Sequence, residues 1–296
     1  MRGTIHYAPP EDVRWLLALV GPRLRAAEER RREQIGLPEA DVARSAELLA
    51  AALAGDRRLS RPEVMELLEG EGIATGGGHG YHILWRLAQD GLICIGPMSQ
   101  KQQTFVLLDD WAPPQQARDL SRDASLAALA RCFATSRGPV TVADLARWAG
   151  ITVADARRGF AAADGLAGED IDGTEHWVAA DAERPPVHRR AYLLAGFDEF
   201  MLGYRDRDAI LDPEHAGKVA PGANGIFRPM IVDRGRIVGT WSRALRAGSL
   251  TLTLQPFAEA ADRLAADVEP EADRYRAFLG LPASCKPVVS SGGSEA

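Results

Sequence analysis

Two stretches of this chain are written in the same order, and that repetition constrains the fold more than any single motif. The first has a helical pattern at "DVARSAELLAAALAG" and another at "SRPEVMELLEGEG". A glycine-rich link leads to a third at "HGYHILWRLAQDG", followed by the strand pair "LICIG" and "QTFVLL". The second stretch runs "SLAALARCFATSRG", "TVADLARWAG", "TVADARRGFAAADG" and then the hairpin "LAGEDIDGTEHWVAA". Apolar residues recur at helical spacing in the first three segments of each and at strand spacing in the last. Both third helices end in Asp-Gly-Leu, at Asp90-Gly91-Leu92 and Asp164-Gly165-Leu166. The pairs Ser60 and Glu63, Thr141 and Asp144, and Thr152 and Asp155 each put a hydroxyl three residues before a carboxylate. That is the spacing at which the two satisfy the free amides of a helix's first turn. Asp172-Gly173 is a dipeptide preferred by the two-residue type I′ hairpin turn. Three short helices closed by a β-hairpin make the winged form of the helix-turn-helix, and two are expected in tandem.

The grammar changes from Arg189 onward. "AYLLAGF", "IFRPMIVDRGRIVGTWSRAL" and "GSLTLTLQPF" read as strands, with Asp233-Arg234-Gly235-Arg236 at a hairpin tip. A small β-barrel is expected there. An amphipathic helix over "AEAADRLAADVEPEADRYRAFLG" follows, and the tail "SSGGSEA" is expected to be disordered. At the other end "RGTIHY" alternates like a strand. "PPED" then opens a helix, "VRWLLALVGPRL", that continues into "RAAEERRREQ", with Pro22 expected to bend or break it. The expected fold class is α+β, tandem winged helices followed by a small C-terminal β-barrel. Residues 1–36 are read as the wing strand and connecting helix of a truncated first winged helix. Residues 37–115 and 116–183 are the two complete modules, 187–282 the barrel with its helix, and 283–296 the tail.

Composition matters for partners. The net charge of −6 excludes a generally basic nucleic-acid binder, but the charge is unevenly spread. Between residues 216 and 257 the cations Lys218, Arg228, Arg234, Arg236, Arg243 and Arg246 face the single anion Asp233. The segment after it is acidic again. Such a basic segment fits a polyanion partner; the alternative is a solvated arginine-rich surface. No apolar run approaches the roughly 18 residues of a membrane helix, and the start is not a signal peptide. Cys94, Cys132 and Cys285 are odd in number and far apart, as in a cytoplasmic protein with reduced thiols.

Few residues suggest chemistry. His79 and His82 lie three apart on a helix, with Cys94 as the candidate third metal ligand, but a structural role is favoured and no metal or other cofactor is expected. "GEGIATGGGHG" lacks the Gly-Lys-Ser/Thr of a phosphate-binding loop. Carboxylates crowd "LLAGFDEFMLGYRDRDAILDPEHAGK". They could serve as general acid and base, or could simply shape a polar turn, and the latter is favoured. Asp198 and Glu199, read as strand neighbours, should face opposite ways. On the third helices, His82, Arg86 and Gln89, and then Arg157 and Arg158, are candidates for outward faces that meet phosphates or base edges.

Four segments carry a family resemblance. "RGTIHYAPPEDVRWLLAL", "GPVTVADLARWAGITVADAR", "FDEFMLGYRDRDAILDPEH" and "NGIFRPMIVDRGRIVGTW" together resemble the AlkZ/YcaQ-like winged-helix DNA-binding family, over Met1 to about Pro282. The resemblance implies tandem winged helices and a β-barrel. It also implies a relationship to DNA glycosylases that excise alkylated or crosslinked bases by cleaving the N-glycosidic bond. The family's catalytic signature, Gln–apolar–Gln or Gln–aromatic–Asp, belongs to a first winged helix expected upstream of "RGTIHY". Gln100, Gln102 and Gln103 stand in another context, so the signature is not carried over to them. The chain is therefore expected to lack that motif and to bind double-stranded DNA, including alkylated or lesion-containing DNA, as a monomer. A non-catalytic transcription regulator or a protein-interaction module is the alternative. The expected DNA contacts are Arg228, Arg234, Arg236, Asn224, Lys218 and Arg243, then Arg157 and Arg158; Asp198 is the active-site candidate.

Overall fold

A computed structural model of the chain describes residues 4–183, 191–222, 225–246, 249–257, 261–282 and 288–291. It divides into two compact units, Met1–Asp181 and Ala182–Ala296.

The first unit begins with a long helix, α1 (Val13–Gln34). Then come α2 (Glu39–Leu53), the short β1 (Leu59–Ser60), α3 (Arg61–Gly70) and α4 (His79–Gln89). Strands β2 (Ile93–Ile95) and β3 (Thr104–Leu107) complete this first module, in the antiparallel order β1-β3-β2. A single turn, α5 (Leu108–Trp111), leads to α6 (Arg122–Arg137), α7 (Val142–Ala149) and α8 (Val153–Ala162). The hairpin of β4 (Leu166–Ile171) and β5 (Thr174–Ala179) ends the second module. Here Val140 takes the place of β1: its amide donates to the Trp177 carbonyl at 3.1 Å and its carbonyl accepts from the Trp177 amide at 2.7 Å. In both modules the residue run before the second helix thus pairs with the last strand of the hairpin.

Local sequence explains these elements. Ser60 with Glu63 and Thr141 with Asp144 form reciprocal caps, and the Thr152 hydroxyl accepts from the Asp155 amide at 3.0 Å. Asp172 and Gly173 both have positive φ, 51° and 78°, as a type I′ turn requires. The first module buries Leu49, Leu53, Val64, Leu68, Ile83, Leu87 and Ile93 together. In the second, Phe160 stacks on Trp177 at 5.2 Å between centroids. A Cβ on Gly159 would lie 2.7 Å from the Leu126 carbonyl oxygen, so α6 and α8 meet at backbone distance.

Two expectations for the N-terminal region are corrected. Residues 4–8 form no strand and join none of the sheets among the described residues; His6 instead sets its ring against Trp148. Pro22 does not break α1, which runs unbroken through it. The helix is pinned on both sides of the proline: Trp15 and Leu19 are buried before it, and after it Arg25 donates to the Gln89 carbonyl at 3.1 Å. Those contacts offset the ~3 kcal/mol an interior proline costs.

The second unit holds β6 (Ala191–Leu194), the short α9 (Glu199–Leu202) and α10 (Ala216–Val219), β7 (Met230–Asp233), β8 (Arg236–Arg246), β9 (Ser249–Pro256), α11 (Ala261–Phe278) and β10 (Val288–Ser291). The sheet order is β10-β9-β8-β7-β6, antiparallel except where β10 pairs with β9. It is an open sheet, not the expected closed barrel, with β6 and β10 at its edges. Successive residues of β7 point to opposite faces, and each face has its own cover. Ile231 joins Leu250, Leu252 and Leu254 under Leu264, Val268 and Ala272 of α11. Met230 and Val232 pack on the other side against Met201, Leu211 and Val219. With both faces covered, the sheet does not need to curl on itself to bury them. Residues 288–291, assigned from sequence to a disordered tail, form the edge strand β10.

Candidate nucleic-acid interface

The cations of residues 216–257 all lie exposed, whereas the one anion among them, Asp233, is half-buried. At the β7–β8 tip Arg234 and Gly235 have φ of 49° and 78°, the type I′ geometry that projects Arg234 away from the sheet. The Arg234 guanidinium is 3.9 Å from the Asp233 carboxylate, a loose surface pair of little energetic weight. Arg236 donates to the Ala209 carbonyl at 3.3 Å, which braces the tip against the loop beneath it. Lys218 and Arg228 are drawn together because the Arg228 amide donates to the Val219 carbonyl at 2.8 Å. The Lys218 ammonium also lies over Phe257, 5.3 Å from its centroid, and Arg243 lies over Tyr275 at 5.4 Å. Arg236 and Arg243 are seven residues apart on β8, roughly 23 Å along an extended strand. The expected contacts therefore form separate groups: the tip pair, the Lys218–Arg228 pair, and Arg243 with Arg246 at the far end of β8. Asn224 lies outside the described residues.

The carboxylates of residues 198–214 mostly shape the backbone. Asp198 does not sit on a strand; it is the N-cap of α9, its carboxylate accepting from the Phe200 amide at 2.9 Å. Asp206 accepts from the Asp208 amide at 3.0 Å, and Asp212 from the Glu214 amide at 3.1 Å. Each aspartate satisfies an amide two residues on, the use for which this residue type is favoured at turns. These three aspartates do turn chemistry, and Glu214 lies 3.2 Å from His215.

Beside the Asp198 cap lies a feature that sequence reasoning missed. Phe197 has φ of 63°, a left-handed conformation that is strained for a large side chain, yet it remains 54% exposed. Its ring meets Phe227 edge-on at 5.9 Å, and the Arg207 guanidinium lies 5.6 Å from the Phe227 centroid. Ile226, next to Phe227, is 52% exposed. A Cβ on Gly196 would come within 2.6 Å of the Phe227 carbonyl oxygen, so only glycine lets the two chain segments lie this close. In the sequence "AYLLAGF" reads as a strand, which does not single out Phe197. The available signal was the Asp cap that directly follows it.

In the first unit the two third helices differ. His82, Arg86 and Gln89 of α4 do not face outward. His82 hydrogen-bonds Glu28 of α1, Arg86 reaches Glu29 at 3.9 Å and Asp90 at 2.7 Å, and the Gln89 carbonyl holds Arg25. The amphipathic α1 covers the face that sequence alone left open. By contrast Arg157 and Arg158 of α8 are exposed, with Arg158 paired to exposed Asp123 at 2.7 Å. The β4–β5 hairpin beside α8 carries exposed Glu169, Asp170, Asp172 and Glu175. Gln100 and Gln102 sit in the β2–β3 turn, where Ser99 and Gln102 exchange backbone bonds of 2.9 Å.

His79 Nε2 donates to the Ile35 carbonyl at 2.8 Å, so both histidines have protein partners, and the described residues contain no cluster of three metal-ligating side chains. Burial pushes the Cys94 thiol up to about 11, away from nucleophilic or metal-binding use. No helix among the described residues is long and apolar enough to cross a membrane.

Comparison with known proteins adds to this geometry. A family model for AlkZ-like DNA glycosylases matches residues 1–278. An interstrand DNA cross-link repair glycosylase of Streptomyces sahachiroi is 27% identical over 267 residues, 81% of this chain and 68% of that protein. The solved structure of the Streptomyces sahachiroi DNA glycosylase AlkZ aligns with a TM-score of 0.77 at 25% identity, covering 98% of this chain and 80% of that one.

Proposed function

The chain belongs to the AlkZ-like DNA glycosylase family, and from that premise we propose that it grips duplex DNA with the arginine-bearing side of its second unit. One observation carries the reading: every cation of residues 216–257 is exposed, on or beside a sheet braced from both faces, and Asp233 is the one anion within that segment. Backbone phosphates supply the largest, sequence-independent share of DNA affinity, and arginines on a rigid hairpin lose little conformational freedom on meeting them. Arg228, Arg234 and Arg236 are the first contacts, with Lys218 and Arg243 extending the track.

The two helical modules are read as winged helices. Their shared connectivity supports this, since the segment before the second helix pairs with the last hairpin strand in both. Of the two third helices, α8 is the one able to approach DNA, through Arg157 and Arg158. Its acidic hairpin is repelled by phosphates, which ranks α8 below the β7–β8 tip.

The relative named as an interstrand cross-link repair glycosylase supports the substrate class proposed here, of which alkylated bases are the extension. Duplex DNA carrying an alkylated or crosslinked base is distorted, and base-modifying enzymes gain access to such bases by extruding or exploiting them. A cationic alkylated base leaves readily, so holding the distorted duplex is the larger task of this chain. Asp198, occupied in capping α9, is assigned a structural role. No described residue is assigned the catalytic glutamines. The chain is read as acting alone, on DNA in the cytoplasm.

Fluorescence anisotropy with an intact duplex and one carrying a stable abasic analogue tests this. Tighter binding to the abasic duplex is expected, and binding to neither would overturn it. Release of an alkylated base from duplex DNA, measured in parallel, reports whether gripping is accompanied by cleavage.

A further inference from the structure

We infer that Phe197 is a wedge that stacks on a base at a distorted step of the DNA. The inference rests on the DNA-binding reading and names the contact made at the lesion rather than along the backbone. Four observations meet at this residue. A bulky aromatic holds a left-handed φ of 63°, which a folded chain retains only where its surroundings impose it. The surroundings are visible: Gly196 is pressed to within contact of the Phe227 carbonyl on one side, and on the other Asp198 fixes the start of α9. The strained ring is nonetheless 54% exposed, beside Ile226 at 52%, instead of being used to fill a core. The neighbouring backbone thus imposes the strain, and burial of the ring does not offset it.

The chemistry next to the ring selects the occupant. Phe227 supports Phe197 edge-on at 5.9 Å, which leaves a face of Phe197 available for stacking. Exposed Arg228 directly follows Phe227, and Lys218 is held near it through the Val219–Arg228 backbone bond. Asp198, which follows the ring, is occupied in capping α9, and an apolar ring with cations on the adjoining segment matches a nucleobase beside its phosphates. Proteins that kink or unstack DNA insert Phe, Leu or Ile side chains between base steps in this way, and a base–aromatic stack tolerates any base because each has a π face. Phe and Ile side chains are hydrocarbon and carry no donor or acceptor for base edges, so the patch reads unstacking and leaves sequence unread.

The test compares wild type with Phe197→Ala, Phe197→Trp and Phe197→Gly on two duplexes, one intact and one with 2-aminopurine beside a stable abasic analogue. Wild type should raise 2-aminopurine fluorescence on binding and prefer the abasic duplex. Phe197→Ala should lose the fluorescence rise and about tenfold of the preference, the size expected for one stack, with its affinity for the intact duplex and its salt dependence unchanged. Phe197→Trp should restore both signals. Phe197→Gly, which relieves the positive φ, should melt at a higher temperature than wild type while binding like Phe197→Ala. A purely structural role predicts the reverse, a lower Tm with the preference kept. Wild-type preference that survives in Phe197→Ala would overturn the wedge alone. No salt-dependent binding by the wild type to either duplex would overturn the DNA-binding reading and the wedge with it.

Discussion

At the scale of single residues, the protein keeps side chains where local conformation does not favour them. Arg234 occupies a positive-φ turn position at which Asn is the better conformer. Arg234→Asn should therefore melt at or above the wild-type temperature while weakening duplex binding, with the slope of log affinity against log salt reduced by about 1. A drop in both Tm and affinity would instead make Arg234 a structural residue. Asp198 gives the opposite expectation. Asn caps a helix as well as Asp does, so Asp198→Asn should keep both stability and DNA affinity, whereas Asp198→Ala should cost about 1 kcal/mol in denaturant unfolding. Loss of base release in Asp198→Asn at unchanged Tm would return Asp198 to the chemistry. The cysteines separate by environment. With its thiol near 11, Cys94 exposes roughly one thiolate per thousand at pH 8. Peptide mapping during iodoacetamide labelling should find exposed Cys132 modified long before Cys94.

At the scale of elements, helix starts and one close crossing hold the first unit in register. Thr141 and Asp144 bond reciprocally, with the Thr141 hydroxyl 2.7 Å from the carboxylate and Asp144 only 5% exposed. Thr141→Ala should cost about 1–2 kcal/mol, the upper part of the range for a lost cap, because the buried carboxylate loses a donor. Gly159→Ala should cost a further 1–3 kcal/mol, since the added methyl meets the Leu126 carbonyl, which the α6 backbone cannot move aside. Asp155 supplies a pH dependence. Its burial alone would raise its proton affinity, but the Thr152 hydroxyl and the Arg122 guanidinium outweigh that and leave the carboxyl below its usual range. A carboxyl depressed in the folded state stabilises it above the ordinary carboxylate pKa, and the benefit is lost as pH falls through the depressed value. Asp155→Asn should thus be less stable than wild type at pH 7 and lose less of its stability on acidification to pH 3.

How much of this was legible in the sequence differs by element. The two modules were readable because each helix start, hairpin turn and Asp-Gly-Leu end is a local device, fixed by residues three or four apart. The β7–β8 hairpin was readable for the same reason. The open sheet was not, because whether β6 and β10 close on each other depends on what covers the faces. α11 and the 199–219 segment do that from far along the chain. The α4 surface failed similarly: Glu28, Glu29 and Arg25 that occupy it belong to α1, more than fifty residues earlier. At the candidate site, the exposed arginines of the hairpin followed from composition. Phe197 did not, since its exposure and its φ are imposed by Gly196 against Phe227, a contact between segments thirty residues apart.

At the scale of the whole molecule, the account places DNA affinity in a basic segment of an acidic protein. The net charge of −6 opposes non-specific attraction to DNA, so affinity depends on a few local contacts and should respond strongly to their removal. The most direct measurement is duplex affinity by fluorescence anisotropy at 50–200 mM salt, for wild type, Arg228→Ala/Arg234→Ala/Arg236→Ala and Arg157→Ala/Arg158→Ala. The triple variant, which removes the two tip arginines and Arg228 beside Lys218, should lose affinity, and its log–log salt slope should fall by about 2–3, near 0.9 for each phosphate contact removed. The α8 double variant should change the slope by less than the triple. An unchanged slope in the triple variant, with wild type bound, would contradict the claim that Arg228, Arg234 and Arg236 hold the DNA.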